Sequence, residues 1–377
     1  MSRDRALAIY CGRLDGNSTA KISARLANAF VARGVATDLL VTDSPDPIPE
    51  PTDPAVRVIR MGRMGPATRV LRMALYLRRH RPRAVLTHRI RENIFSQDAV
   101  ALARTHTPIF VTVHGPMGIK LRHLKGRKGR RRRAQFARYY GRNRGIIAIS
   151  EETAEDLRSL LGADAPITTI PNPIVTPEIH ALAAAGTDHP WLTRPREIPV
   201  VCFAGRLERE KDLPTLLRAF ASLTARRRCR LVIIGDGSLR RETEAEREAL
   251  GLTERVDMPG WAANPYPFLA GADLVVLSSW WDALPTVLIE SLALGTPVVS
   301  TECGAGPREI LDGGRYGPLV PPRDPEALAA AIAETLDHPL PAQALYPGAG
   351  RYEARRNADR YLSFILGIPC PGAAGED

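Results

Sequence analysis

Val200-Val201-Cys202-Phe203-Ala204-Gly205-Arg206-Leu207-Glu208-Arg209-Glu210-Lys211-Asp212-Leu213-Pro214 is the stretch that decides the fold. Five small or apolar residues in a row, without polar alternation, read as a strand covered on both faces, the condition of a parallel sheet sandwiched by helices. Gly205 ends the strand, and a polar loop leads to Asp212 as the cap of a helix with Pro214 in its first turn. Leu213, Leu216, Leu217, Phe220 and Leu223 form that helix's core stripe. The same unit repeats downstream. Arg230 to Ile234, Leu274 to Leu277 and Pro297-Val298-Val299 read as strands, with helices over 238–250, 285–294 and 325–336.

Upstream the alternation is the same. Leu7 to Tyr10 opens with a strand, and residues 18–33 carry Ile22, Leu26, Ala29 and Phe30 at helical spacing before Gly34. Residues 39–41, 56–59, 84–86, 109–113 and 145–150 are further strand candidates, and Ser150 caps a helix that begins with Glu151 and Glu152. Residues 171–199, rich in Pro, Ala and Thr, read as the region joining two halves. The expected fold class is α/β with two Rossmann-like domains facing each other across a cleft. The first covers 1–180, a linker 181–199, the second 200–355, and a C-terminal helix and tail over 356–377 return to the first domain. Ligands of such sheets bind in the crevice outside the strand ends.

The length of 377 residues suits two domains. No run approaches the ~20 apolar residues of a membrane-spanning helix, and the N-terminus lacks the long apolar core of a secretory signal. Cys11, Cys202, Cys229, Cys303 and Cys370 are scattered and odd in number, which fits a reducing cytosol better than a disulfide framework or a zinc site. The net charge of +11 is unevenly spread: residues 51–150 hold 24 Lys+Arg against Asp53, Glu92 and Asp98, while the remainder carries 28 basic and 38 acidic residues. A half so basic calls for an anionic partner such as nucleic acid, acidic lipid or a phosphorylated acceptor.

Four places at strand ends carry chemistry. Arg206 and Lys211 stand before a helix N-terminus after Gly205, where they hold a diphosphate or are simply two solvated cations. Gly235-Asp236-Gly237 begins a dinucleotide fingerprint that Arg240 interrupts, so its glycines bind phosphate or only turn the chain. Asp282 and Glu290 flank Leu284-Pro285-Thr286, and Glu290 sits in an apolar helix face, where a carboxylate is costly without a hydrogen-bonding partner. They grip polyhydroxyl groups, or are a cap and a solvated acid. His114 ends the strand 109–113, and His88 stands similarly after 84–87.

Taken in order, Gly205-Arg206…Lys211, Gly235-Asp236-Gly237, Val256-x-x-Pro-Gly260-Trp261, Ala272-Asp273-Leu274 and the acid-x7-Glu pair at 282–290 resemble the donor domain of glycosyltransferase family four, retaining enzymes of the GT-B fold. Gly295-Thr296-Pro297 and Gly317-Pro318-Leu319 extend the match. Leu284 to Glu290 and Gly306 to Leu311 are similar to bacterial cell-surface polysaccharide and lipid-linked oligosaccharide transferases. The resemblance implies transfer of a sugar, such as an N-acetylhexosamine from a UDP-sugar, with retention, onto a glycan or polyprenyl-diphosphate-linked acceptor. By it, Arg206 and Lys211 neutralise the departing diphosphate, Glu290 binds the ribose, Asp282 a sugar hydroxyl, and His114 faces the reacting centre. Gly235, Leu284, Pro285 and Thr286 complete the donor site, with Gly12 and Gly16 approaching the diphosphate from the first domain.

No Asp-x-Asp pair occurs, so no cofactor or obligatory metal is expected. Two features depart from the family. Asp282-Ala283 replaces the usual Glu-Gly, shortening the acid by one C–C bond, about 1.5 Å. The first loop has only Gly12 and Gly16 where relatives place adjacent glycines. Rival readings are a nucleotide-sugar epimerase or phosphorylase on the same fold, or a nucleic-acid binder. The last rests on the tract Lys125 to Arg133 with Phe136, Tyr139 and Tyr140 after it. The favoured reading places the protein in the cytoplasm, peripheral on the inner face of the membrane, with an anionic lipid surface and no nucleic acid as partner.

Overall fold

The computed structural model describes residues 5–13, 18–43, 52–62, 65–115, 117–122 and 124–369, which form two compact units. The first contains the chain up to Pro173 and again from Ala354. Its strands are β1 (Leu7–Arg13), β2 (Thr37–Asp43), β3 (Arg57–Arg60), β4 (Ala84–Thr87), β5 (Ile109–Val113), β6 (Gly145–Ala148) and β7 (Ile167–Thr169). They pair in parallel in the order β3-β2-β1-β4-β5-β6-β7, so the strand order reverses between β1 and β4. Leu7 to Cys11 are wholly buried, as expected of an inner strand of a sheet covered on both faces.

One layer packs Ala8, Tyr10, Leu40 and Val85 with Met73, Leu77, Phe95 and Ala99 from helices Pro66–His80 and Ile90–Ala103. Further along the sheet, Val111, Val113, Ile146 and Ala148 pack with Met117, Leu121, Phe136 and Tyr140. The basic tract Lys125 to Arg133 forms the first half of helix Gly126–Tyr140. Two of its aromatic residues turn inward: the rings of Phe136 and Tyr140 stack at 3.9 Å and both are buried. Tyr139 donates its hydroxyl to Asp98. Two of the three aromatic residues that a nucleic-acid reading would use for stacking are therefore spent on the core.

Helix Ala354–Leu366 packs within this unit. Tyr361 is buried with its hydroxyl 3.3 Å from that of Thr112, and Phe364 meets Phe110 edge-on at 5.6 Å. Gly145 makes room for it, because a Cβ there would lie 2.5 Å from the Phe364 ring.

The second unit spans Ile174–Glu353. Its strands β8 (Val200–Ala204), β9 (Arg230–Ile234), β10 (Val256–Gly260), β11 (Leu274–Leu277), β12 (Val298–Thr301) and β13 (Leu319–Val320) follow the order β10-β9-β8-β11-β12-β13, all parallel. Val201, Phe203, Leu231, Ile233 and Val276 pack against Leu216, Phe220, Leu328 and Ile332. Strands β7, β10 and β13 were not among those expected, and all three lie at sheet edges. An edge strand is paired on one side only, and β10 carries a proline, so no continuous apolar run marks it.

The expected linker 181–199 is corrected by the structure. The chain changes units at 173/174, and residues 174–199 belong to the second unit. They include helix Glu178–Ala184 with Ile179 buried, and the buried Leu192. Arg196 grips Asp273 at 2.6 Å and the Gly271 carbonyl at 2.7 Å, and His189 Nε2 lies 2.8 Å from Asp257. Partners about 70 residues away hold a segment whose composition alone reads as a tether.

Candidate active site

In the second unit the loops after β8 and β9 are zipped together. Gly205 N–H donates to Ile234 O at 3.0 Å, Leu207 N–H to Asp236 O at 2.9 Å, and Leu239 N–H to Leu207 O at 2.9 Å. Gly235, at φ +137°, would drive any side chain into the Gly205 carbonyl, and a Cβ on Gly237 would collide with the Leu207 carbonyl. The Gly235-Asp236-Gly237 glycines thus permit close backbone approach between neighbouring strand ends. Glu208 completes the junction by accepting from Ser238 N–H and Oγ at 3.1 and 2.7 Å, bonds that hold its carboxyl below the usual range.

The loop after β8 makes a tight turn over Arg209–Lys211, and Asp212 follows at φ +49°. Asp212 occupies the expected cap position, but its carboxylate accepts the Thr215 hydroxyl at 2.8 Å instead of a backbone N–H. Lys211 Nζ lies 2.5 Å from Asp282 Oδ2, with the two side chains only 15% and 18% exposed. The loop after β11 is sewn to the same turn: Ser278 Oγ donates to Lys211 O, Trp280 N–H to Glu210 O, and Trp280 Nε1–H to Arg209 O. Gly306 lies so near the Ala283 carbonyl that no side chain fits there.

Lys211 and Arg206, equivalent in the sequence reading, are therefore different objects. Lys211 is a sheltered, paired cation, whereas Arg206 is 73% exposed and bridges to Glu210 four residues on. Leu284 and buried Pro285 lead into helix Thr286–Ala293, whose N-terminus has no side-chain cap. Glu290 lies within this helix, half-buried, with the Tyr266 hydroxyl 3.5 Å from its Oε1. Thus Gly205, Arg206, Lys211, Gly235, Asp282, Leu284, Pro285, Thr286 and Glu290 all belong to one unit, on the C-terminal side of its strands.

Gly12 and His114 belong to the first unit, and Gly16 lies outside the described residues. Gly12, the next-to-last residue of β1, has φ +83°, and a Cβ there would lie 2.6 Å from Glu92 Oε1. His114 follows β5 and His88 follows β4. Because β4 and β5 are adjacent, the rings meet, with His88 Nδ1 3.2 Å from His114 Nε2. Burial and the nearby Arg89 lower the His114 pKa to about 4, and burial with both His114 and Arg89 lowers that of His88 well below its ordinary value. The pair is neutral at pH 7. A pocket of about 480 Å³ opens here, with Thr19, His88, Arg89, Glu92, Thr112 and His114 in its wall. Sequence reasoning missed Glu92, which carries no motif, and gave His88 no role of its own.

Comparison with known proteins assigns the architecture. Residues 20–177 match the profile described as Glycosyltransferase Family 4, and residues 198–338 that described as Glycosyl transferases group 1. The chain belongs to the family-four glycosyltransferases. A relative of this family, the lipopolysaccharide core biosynthesis glycosyltransferase LpsE of Rhizobium meliloti, is 32% identical over 61% of this chain and 66% of its own length. The N-acetylgalactosamine-N,N'-diacetylbacillosaminyl-diphospho-undecaprenol 4-alpha-N-acetylgalactosaminyltransferase of Campylobacter jejuni is 37% identical over 31% of each chain. The chain thus spans about two thirds or less of the curated relatives it matches. Among solved structures, Anabaena HepE in complex with UDP superposes with a TM-score of 0.76 at 16% identity, over 96% of this chain and all of that one. The fold of this family-four member is accordingly GT-B, built from two Rossmann-like units. Among its described residues no helix is long and apolar enough to cross a membrane.

Proposed function

We propose that the protein is a glycosyltransferase that moves a sugar from a UDP-sugar, with retention, onto a glycan or polyprenyl-diphosphate-linked acceptor in bacterial surface polysaccharide synthesis. One observation carries the reading: a sheltered lysine–aspartate pair, Lys211 and Asp282, set beside an uncapped helix that bears Glu290. The leaving group of such a reaction is an anionic diphosphate. Lys211, Arg206 and the N-terminus of helix Thr286–Ala293, which no side chain caps, stabilise that charge as it develops. In the free protein Asp282 neutralises Lys211. On donor binding the diphosphate takes over Lys211, and Asp282 accepts a hydroxyl of the sugar. Glu290 binds the ribose hydroxyls and His114, kept neutral, hydrogen-bonds the sugar. HepE was solved with UDP and with UDP-glucose, and the Campylobacter relative transfers N-acetylgalactosamine by its name, which supports a UDP-hexose or UDP-N-acetylhexosamine donor. The exposed cations of helix Gly126–Tyr140 suit an anionic membrane surface, where a lipid-linked acceptor resides.

A screen of UDP-sugars, with mass-spectrometric detection of released UDP, tests the activity, and UDP calorimetry tests the roles. Glu290→Ala loses charged hydrogen bonds worth about 1.5–3 kcal/mol, so UDP affinity should fall roughly 10- to 150-fold. Asp282→Ala should bind bare UDP as well as or better than wild type, since Lys211 loses its competitor, while turnover falls. Loss of UDP binding in folded Asp282→Ala, or unchanged binding in Glu290→Ala, would overturn these assignments.

A further inference from the structure

All three carbonyls of the turn that carries Lys211 are engaged by the loop after β11. Arg209 O accepts the Trp280 indole N–H at 2.9 Å, Glu210 O the Trp280 backbone N–H at 3.0 Å, and Lys211 O the Ser278 hydroxyl at 2.7 Å. Two of these bonds come from one residue. A tight turn of this kind has poor hydrogen-bond geometry of its own, so its shape depends on what grips it from outside. Trp280 also stands two positions before Asp282. The residue that shapes the turn under Lys211 thus sets the loop that brings Asp282 to it.

A third loop holds the ring itself. The Arg323 guanidinium lies 5.2 Å from the centre of the Trp280 ring, reaching it from the loop after β13, two strands away from β11. Arg323 stands at φ +62°, in the left-handed region that an arginine rarely adopts, immediately before the Asp324 cap of helix Pro325–Asp337. Strained positions of this kind persist where their surroundings over-determine them, and they cluster at functional sites. An indole suits both contacts. It donates without accepting, which fits a turn that presents carbonyls, and its ring is the best platform for a guanidinium. The ring is 37% exposed, so core burial is not what places a tryptophan here.

We propose that Trp280 is a positioning residue for sugar transfer: it fixes the Arg209–Lys211 turn, with Arg323 bracing its ring, so that Lys211 already stands where the diphosphate charge develops. The inference rests on the transferase reading above. A lysine is a point charge on a flexible stem, so its aim comes from the backbone that carries it. An electrostatic stabiliser is most effective when it need not reorganise during the reaction.

The test compares UDP with uridine, which lacks the diphosphate, by titration of the full chain. Trp280→Phe keeps an aromatic ring and removes the N–H donated to Arg209 O. It should lower UDP affinity about fivefold, the loss of one hydrogen bond, and leave uridine affinity within about twofold. In a Lys211→Gln background the same substitution should change UDP affinity by less than about twofold, because the group it positions is gone. Should Trp280→Phe fail to fold, Arg323→Gln removes the brace without touching the turn and should show the same pattern, with UDP weakened about threefold. The proposal is overturned if UDP affinity is unchanged, if uridine weakens as much as UDP, or if the loss persists undiminished in the Lys211→Gln background. Hydrogen exchange gives a reading that needs no ligand: amides in residues 206–213 should exchange about twice as fast or more in the variant as in wild type. If the wild type binds no UDP, the transferase reading fails, and equal exchange rates then overturn the positioning role as well.

Discussion

His114 shows how much a single side chain's meaning depends on its neighbours. Alone after a strand it has several readings. Set in its pocket with Arg89 close by, the ring is desolvated, the charged form is penalised and its pKa falls to about 4. The consequence for stability has a definite sign. An unfolded histidine titrates near 6.5, so between pH 6.5 and 4 the unfolded chain binds more protons than the folded one. Stability from His114 is therefore complete above pH 6.5 and is lost as the pH falls toward 4, by on the order of 3 kcal/mol. Melting curves across that range should decline more steeply for wild type than for His114→Gln. Parallel curves would show that the imidazole is protonated at no cost. Lys211 and Asp282 make the same point: each charge is tolerable at its low exposure because the other is there.

At the scale of elements, the C-terminal helix depends on one missing side chain. Gly145 begins β6, and the Phe364 ring lies where its Cβ would be. Gly145→Ala overpacks this contact and should cost about 1–3 kcal/mol in denaturant unfolding. Phe364→Leu, combined with it, should recover most of that loss by removing the ring atoms in conflict. An additive double variant would mean that the strain lies elsewhere. The helices of the basic half were only partly legible for a related reason. Lys125 to Arg133 reads as a charged tract, and its helical character emerges at Phe136 and Tyr140, whose spacing of four places both in the core.

Across the whole molecule, charge is divided between the units as the composition indicates, the basic stretch 51–150 lying wholly in the first. The structure sorts those cations further. Arg133 turns back to the Leu121 and Leu124 carbonyls, and Arg57 is paired with Asp38, while Lys125, Arg127, Arg130, Arg131 and Arg132 face solvent. Helix Pro66–His80 exposes Leu71 and Leu75, one turn apart, together with Arg78 and Arg79. Basic and apolar residues on one helix surface suit a membrane interface, and each cation near an acidic leaflet contributes about 1 kcal/mol. In flotation assays the protein should bind vesicles containing anionic lipid and release them at high salt, with Leu71→Ser/Leu75→Ser binding less. Equal recovery with neutral and anionic vesicles would end this interpretation.

The α/β class, the two-fold repetition of the sheet and the order of the strand-end motifs follow from the sequence alone, because covered parallel strands and amphipathic helices write themselves as local periodicities. Gly235, Lys211, Asp282 and Glu290 were legible for the same reason, since each stands at a fixed offset from a strand or helix end. What those residues touch was decided only by the tertiary structure. Lys211 meets Asp282 across 71 positions because β8 and β11 are neighbours in the sheet, and His88 meets His114 because β4 and β5 are. Glu92 lies over Gly12, and the segment 174–199 joins the second unit through Arg196 and His189. Strand order and register bring such partners together, and neither is encoded in any window short enough to be read as a pattern.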